Sequence, residues 1–302
     1  MSRASANSGD AGSVALSPSE RRYLLLHVPK TAGSALRAIV KQNLGDAAAI
    51  ENPFLSTQVY TAEQIDWLFS TYPYRFYAGH VFRLRPALAA GNGQLQLIAF
   101  VRDPVDKAIS SYYYLRHRSL TRADHPVKRQ SLLELCASAK PGAASGSNGF
   151  DDSQLDWLVG EPDAPLDLVE AAVDSGRLWL FPAEAFDLAL VLLERLRPGD
   201  FRDCAYARRV NASTYPEDRD VDAERAAAAT LPWVTTDRRL HQLGLAHLES
   251  LTAQVFRSHS DKELALRDFH ARCRRRVQAA QPQPTQRTLG QRIKAAYRAW
   301  NS

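Results

Sequence analysis

The segment HVPKTAGSAL, residues 27–36, carries groups that suit the binding of an anion. Lys30 supplies a positive charge, and Thr31 and Ser34 supply hydroxyl donors. Gly33 has no Cβ, so the backbone there can approach a phosphate closely. The segment lacks the G-x-x-x-x-G-K-[ST] spacing of a Walker loop. It therefore predicts a phosphate loop of another kind, and the alternative is an ordinary strand-to-helix turn with a solvated lysine.

A second segment, FVRDPVDKAISSYYYL at residues 100–115, offers a further pair of anion-binding groups. Arg102 follows an apolar run, and Ser110 comes two turns into the helical pattern after it. If this guanidinium and this hydroxyl face the same crevice, they would form a second binding site for a phosphate. Two alternatives stay open: Arg102 pairs with Asp103 or Asp106, and Ser110 is a surface hydroxyl.

Apolar runs and helical spacings place both segments after buried strands. Residues 21–28 and Leu95–Val101 are largely apolar, which is typical of parallel strands covered on both faces. A helix is predicted from Ser34 to a stop at Gly45, and another begins with Asp103 as its N-cap. Further predicted elements are a helix near 164–174, a strand at 177–181, a helix at 183–196 and helices between about 236 and 276. This alternation predicts an α/β fold with a central parallel sheet flanked by helices, whose ligands bind beyond the carboxyl ends of the strands.

The length of the chain limits the number of domains, and its charge distribution limits the class of binding partner. The chain has 302 residues with 45% apolar content, enough for one large core. We predict a disordered tail over 1–20, one domain over 21–272, and a basic tail or helix over 273–302. The formal charge is +5, but residues 272–302 hold eight Lys/Arg and no Asp/Glu, so the remainder carries −3. Such a body does not suit a generic polyanion, and no nucleic acid partner is predicted.

Cysteine usage and hydropathy indicate the compartment. No stretch approaches the roughly 20 apolar residues of a membrane span, and residues 1–20 lack the apolar centre of a signal peptide. Cys136, Cys204 and Cys273 are odd in number and widely spaced, which suits neither a disulfide framework nor a zinc site. We expect a cytoplasmic protein without a metal site.

The two phosphate segments, in this order, resemble those of the sulfotransferases that use 3′-phosphoadenosine 5′-phosphosulfate (PAPS). The branch they resemble contains the heparan sulfate 2-O-sulfotransferases and related bacterial proteins. The resemblance implies a P-loop-like nucleotide-binding fold, PAPS as sulfuryl donor and 3′-phosphoadenosine 5′-phosphate (PAP) as product. It assigns the 5′-phosphosulfate to the first loop and the 3′-phosphate to the second segment. The residues implied are Lys30, Thr31, Ala32, Gly33, Ser34 and Ala35 in the first loop, and Arg102 and Ser110 in the second segment.

The same family has a Gly-His motif between those segments, and this chain has FYAGHVFRL at residues 76–84. The resemblance implies that His80 is the general base and that Lys30 assists departure of the nucleotide. An imidazole suits the role because its ordinary pKa of about 6.5 leaves it mostly neutral at neutral pH. His27 is predicted to be a packing or hydrogen-bonding residue. Glu184 is marked by resemblance alone, and its alternative is a carboxylate at a helix N-terminus.

Two departures from the family pattern bear on the acceptor and the loop. The family usually has Gln-Thr-Arg where this chain has Gln154, Leu155 and Asp156, and glycine is common at the position of Ala32. The acceptor is therefore open, and we expect a hydroxyl of a saccharide or glycan. Arginines that flank the proposed site could contact an acidic glycan, and these are Arg75, Arg83, Arg85, Arg116 and Arg118.

Two other functions stay open, a nucleotide-dependent kinase and a non-catalytic nucleotide- or carbohydrate-binding protein. The basic ending QRIKAAYRAW is compatible with an amphipathic helix that contacts a membrane surface, and its alternative is a helix docked on the core. The sequence leaves the oligomeric state open.

Overall fold

The computed structural model describes residues 21–45, 49–51, 58–72, 74–90, 95–118, 121–139, 153–207 and 215–280. The predicted N-terminal tail, a predicted flexible loop at 140–149 and the basic ending from residue 281 lie outside the described residues.

Five parallel strands form one sheet in the order β2-β3-β1-β4-β5. The strands are β1 Arg22–Leu26, β2 Ala49–Glu51, β3 Phe76–Gly79, β4 Leu95–Val101 and β5 Leu178–Pro182. The predicted α/β class with a parallel sheet is confirmed. The sequence did not predict β2 and β3, because strands of three and four residues are too short to show a pattern.

Twelve helices flank the sheet in the part of the chain that is described. They are α1 Gly33–Leu44, α2 Ala62–Thr71, α3 Leu84–Ala89, α4 Pro104–His117, α5 Pro126–Arg129, α6 Leu132–Ser138, α7 Gln154–Val159, α8 Leu166–Asp174, α9 Phe186–Leu196, α10 Val221–Ala229, α11 Val234–Val255 and α12 His259–Ala280. A 3-10 turn, Ala183–Ala185, precedes α9. α12 crosses the predicted domain boundary at residue 272 without a break.

Alternate residues of β1, β3, β4 and β5 enter two different cores. Leu24 and Leu26 of β1 pack with α2, α3, α7 and α8 on one face of the sheet. Tyr23 and Leu25 pack with α1 and α9 on the other face, together with parts of α11 and α12. Each fully buried leucine stabilises the fold by roughly 1.5–3 kcal/mol. A third cluster joins α4, α5, α6 and α10, so α4 connects the sheet to a helical layer beside it.

The order of strands locates a crevice. After β1 the chain forms β2 and β3 on one side, and it then crosses β1 to form β4 and β5 on the other. The reversal falls between β1 and β4, and in open α/β sheets ligands bind beyond the carboxyl ends of the strands at such a point. The loops that follow β1 and β4 are those that carry Lys30 and Arg102.

Candidate functional site

The loop between β1 and α1 presents an uncapped helix N-terminus. Ala32 is the N-cap residue of α1, and its methyl side chain forms no capping hydrogen bond with the first turn. That turn also contains no acidic residue. The first N–H groups of a helix have no partner within the helix and carry partial positive charge, so this end of α1 attracts an anion.

Two non-glycine residues of this loop adopt the left-handed backbone conformation. The φ angles are 66° at Lys30 and 70° at Ala32. Such a conformation costs about 1–2 kcal/mol for a residue with a Cβ. Ala32 occupies the position at which glycine is common in the family that the sequence resembles. Its φ shows that the backbone at this position is left-handed, a conformation that glycine adopts without strain.

Thr31 is buried, and its Oγ1 donates a hydrogen bond to the carbonyl of Val28 at 2.8 Å. The hydroxyl therefore closes the loop on itself. A contact between Thr31 and a phosphate would run through the backbone N–H, which differs from the hydroxyl contact predicted from the sequence.

Lys30 and Arg102 are 72 positions apart in the chain, but they lie in the loops that follow the neighbouring strands β1 and β4. Burial and the nearby charge of Arg102 lower the pKa of Lys30 to about 8. The Lys30 Nζ lies 4.2 Å from the ring centroid of Tyr114, which is 39% exposed. Across the described residues, neither cation forms an ion pair with a carboxylate. Cations on neighbouring loops that no described carboxylate neutralises favour the binding of an anion.

The alternative ion pairs of Arg102 are not formed. The carboxylate of Asp103 caps α4 by accepting from the N–H groups of Val105 and Asp106, at 3.1 and 3.0 Å. Asp106 pairs instead with Arg225. The predicted N-cap at Asp103 is thereby confirmed, and among the described residues Arg102 forms neither of the two alternative ion pairs.

The backbone of Arg102 is held by Gln154, which is fully buried on α7. The Gln154 side chain accepts from the Arg102 N–H and donates to the Arg102 carbonyl, both at 2.8 Å. The Gln154 N–H donates in turn to Asp237 of α11 at 2.8 Å. Sequence reasoning singled out Gln154 only for its family resemblance and missed this clasp, because the partners lie 52 positions apart.

Ser110 is 1% exposed on α4, so the alternative of a surface hydroxyl is wrong. Its role as a phosphate ligand stays a prediction.

Glu184 lies in the 3-10 turn after β5 and supports the same loop. Its Oε1 accepts from the Asp103 N–H at 2.8 Å, and its Oε2 lies 3.1 Å from Nε2 of His241. Burial would raise the pKa of Glu184, but the hydrogen bonds with His241 and the Asp103 N–H outweigh it and hold the pKa below its usual value. This arrangement favours a role in positioning the Arg102 loop.

His80 follows β3 at the same edge of the sheet and is anchored to the β1 loop. Its Nδ1 lies 2.8 Å from the carbonyl oxygen of His27. Because a carbonyl only accepts, Nδ1 must carry the hydrogen, and Nε2 of the neutral ring is then an acceptor. The two imidazoles are stacked with centroids 4.1 Å apart and an interplanar angle of 22°.

His27 is 5% exposed, as its predicted packing role requires. Burial, with smaller contributions from His80 and Arg37, lowers the pKa of His27 to about 3. Its ring lies against Gly33, where an added Cβ would be 2.1 Å from the imidazole. Gly33 thus provides space for His27 as well as access to the backbone. The Nδ1 atom of His27 has no hydrogen-bond partner among the described residues.

Three of the five arginines expected near an acidic acceptor are engaged within the protein. Arg75 pairs with Asp200 just before β3, at the opposite edge of the sheet. Arg83 is 8% exposed and donates to two backbone carbonyls. Arg116 likewise donates to two carbonyls and to a tyrosine hydroxyl. The remaining two are more exposed, Arg85 in an ion pair with Glu161 and Arg118 beside the Tyr114 ring.

Within the described ranges, His, Cys, Asp and Glu form no group of three or more that could hold a metal ion. No helix in those same ranges combines the length and apolar character needed to cross a membrane.

Comparison with known proteins gives one kind of match. No family model matches the chain, and no curated protein matches it. Nine chains among the solved structures do match. One of them is the mouse sulfotransferase SULT7A1 complexed with PAP, at 14% identity over 83% of this chain and 89% of that chain. The TM-score is 0.34, too low to establish that the two chains share one arrangement of elements.

Proposed function

We propose that this protein is a PAPS-dependent O-sulfotransferase in which His80 is the general base. The observation that carries the proposal is that Lys30 and Arg102 lie in the loops after neighbouring strands, at the edge of the sheet where α1 begins and where His80 is anchored to the first loop. PAPS carries a phosphate on the 3′ oxygen and a phosphosulfate on the 5′ oxygen of the same ribose. Two loops that each bring one cation to a shared crevice suit such a molecule.

In the proposed reaction the acceptor hydroxyl oxygen attacks the sulfur of PAPS in line. The new O–S bond forms while the bond from sulfur to the 5′-phosphate oxygen breaks, and the hydroxyl proton passes to Nε2 of His80. Lys30 and the N–H groups of α1 stabilise the charge that develops on the departing PAP. General-base catalysis contributes about 10²–10⁴-fold, so His80→Ala should lose a factor of that order in turnover.

The acceptor is proposed to be a saccharide hydroxyl. Because Arg75, Arg83 and Arg116 are engaged internally, these three arginines are not placed to neutralise a polyanionic glycan. A neutral or weakly acidic saccharide therefore suits the rim better. The test incubates the protein and PAPS with one of three acceptors and measures the PAP formed. The acceptors are a neutral oligosaccharide such as chitotetraose, an acidic heparan-type oligosaccharide and a simple phenol.

Nucleotide binding can be tested before any acceptor is known. A ligand at 100 times its Kd stabilises the fold by about 2.7 kcal/mol, which raises Tm by several degrees for a protein of this size. PAP should give the largest shift when compared with ATP plus magnesium and with NAD. A larger shift with ATP and magnesium would favour the kinase alternative. Binding of PAP without turnover on any acceptor would favour a non-catalytic binding protein.

The role of Arg102 has a sharper test. Arg102→Ala should weaken PAP much more than it weakens adenosine 5′-phosphate, since only PAP carries the 3′-phosphate. Arg122→Ala is a matched control, because Arg122 is 83% exposed and pairs with Asp124. Equal losses for both nucleotides would remove Arg102 from recognition of the 3′-phosphate.

A further inference from the structure

Trp157 of α7 reaches the carbonyl that anchors His80. Its Nε1–H donates to the His27 carbonyl oxygen at 3.2 Å, and the same oxygen accepts from Nδ1 of His80 at 2.8 Å. A carbonyl oxygen has two lone pairs, so it can accept both bonds. With two donors from different segments, the peptide plane at His27 cannot rotate without breaking both.

The ring of Trp157 also restricts the ring of His80. The centroids are 5.9 Å apart at an interplanar angle of 83°, an edge-to-face contact. His27 stacks on His80 nearly in parallel. An exposed imidazole ordinarily samples several rotamers within nanoseconds. Here the rings of His27 and Trp157 and the hydrogen bond at Nδ1 restrict the imidazole, although His80 itself is exposed.

Arg83 extends the contact to the backbone of His80. Its guanidinium carbon lies 4.4 Å from the Trp157 ring centroid, and its Nη1 donates to the His80 carbonyl at 2.5 Å. Gly160, which ends α7, leaves room for this side chain, because a Cβ there would lie 2.7 Å from Cγ of Arg83. The end of α7 therefore holds both the main chain and the side chain of His80.

We propose that Trp157 is a positioning residue that fixes His80 as the Nδ1–H tautomer, which has its basic lone pair on Nε2. The importance of that tautomer for turnover rests on the proposed function, while the tautomer itself does not. In water either ring nitrogen of a neutral histidine can carry the hydrogen. A base with the hydrogen on Nε2 could not accept the hydroxyl proton at that atom. Trp157 matters because it fixes the carbonyl that selects the tautomer.

The test is the ¹⁵N spectrum of histidine-labelled protein at pH 8.5, where an ordinary imidazole is neutral. The His80 signals are assigned by their loss in His80→Gln. In the wild type we expect a protonated Nδ1 and an unprotonated Nε2, together with slow solvent exchange of the Trp157 indole hydrogen. In Trp157→Phe, which keeps an aromatic ring and removes the N–H, we expect a mixture of the two tautomers. Turnover should fall about tenfold while the Kd for PAP changes less than about twofold.

Trp67→Phe is the matched control, because Trp67 is 50% exposed on α2 and contacts Tyr72. It should leave both the spectrum and turnover unchanged. A wild-type His80 with its hydrogen on Nε2 would overturn the proposal without any variant being made. So would an unchanged tautomer and an unchanged turnover in Trp157→Phe. The two proposals can also fail separately. A tautomer that is fixed in the wild type and mixed in Trp157→Phe would support the positioning role. If that same protein neither bound PAP nor formed it from PAPS, the sulfotransferase function would be refuted.

Discussion

The lowered pKa of Lys30 predicts that PAP affinity falls as pH rises from 7 to 9. Burial and the charge of Arg102 place this pKa at about 8, so the ammonium is protonated to about 0.9 at pH 7 and to about 0.1 at pH 9. If the anion binds only the ammonium form, affinity falls about tenfold over this range. Lys30 is partly exposed, and screening by solvent reduces the expected loss to about three- to tenfold.

The bound anion should return the pKa of Lys30 towards its ordinary value, so binding takes up a proton. Calorimetric titration of PAP at pH 7, 8 and 9, in buffers of different ionisation enthalpy, measures that uptake directly. At pH 9 it should approach one proton per site. The phosphate groups of PAP lose their last protons near pH 6, which would change affinity in the opposite direction.

Lys30→Arg separates the lysine from other titrating groups, because a guanidinium stays charged throughout this range. Its affinity for PAP should not vary between pH 7 and 9. Lys41→Arg, at the exposed far end of α1, should retain the wild-type slope. A flat wild-type profile without proton uptake, or the same slope in Lys30→Arg, would refute the role of the Lys30 ammonium in holding the anion.

Three further predictions concern the loop itself. Gly33→Ala should destabilise the fold by about 3 kcal/mol, because the new Cβ collides with the His27 ring. Adding His27→Ala removes that collision and should recover at least about 1 kcal/mol, measured as the coupling energy in a double-mutant cycle of urea unfolding. Ala32→Gly should leave stability unchanged or raise it by up to about 1 kcal/mol, because relief of the strain at its positive φ offsets the larger backbone entropy that glycine loses on folding. The control Ala38→Gly, in the exposed middle of α1, should lower stability by about 1 kcal/mol. The pKa of His27 is about 3 in the folded protein and near 6.5 in the unfolded chain, so the unfolded state binds more protons as pH falls. The free energy of unfolding should therefore drop by about 2 kcal/mol from pH 7 to pH 5. His27→Gln should remove that part of the pH dependence in the same assay, and an unchanged dependence would contradict it.

The parts of the fold that local sequence determines were predicted well. The α4 start at Asp103 and Pro104 depends on a cap and a φ preference that neighbouring residues supply. The stop of α1 at Gly45, with φ at 72°, is equally local. The predicted strand at 177–181 matches β5 to within one residue at each end.

The parts that depend on distant contacts were not predictable from one sequence. The clasp between Gln154 and Arg102 exists only because α7 packs across the end of β4. The same is true of the two hydrogen bonds on the His27 carbonyl, whose donors come from 53 and 130 positions away. Sequence patterns indicated Lys30 and Arg102, and the family resemblance implied His80, but only the fold shows which contacts hold the segments around them.

The concentration of local strain in one short loop is itself an argument that the loop has a function. Among the described residues three non-glycine residues have a positive φ, and Lys30 and Ala32 are two of them. The same loop buries an imidazole nitrogen of His27 that has no hydrogen-bond partner in the described part of the chain, which ordinarily costs about 1–3 kcal/mol. A loop with no role beyond connecting β1 to α1 could relieve these costs with glycine at position 32 and an apolar residue at position 27. Strain of this kind persists where the surrounding structure enforces it and where geometry is used, and here it sets the place of Lys30 and of the carbonyl that anchors His80.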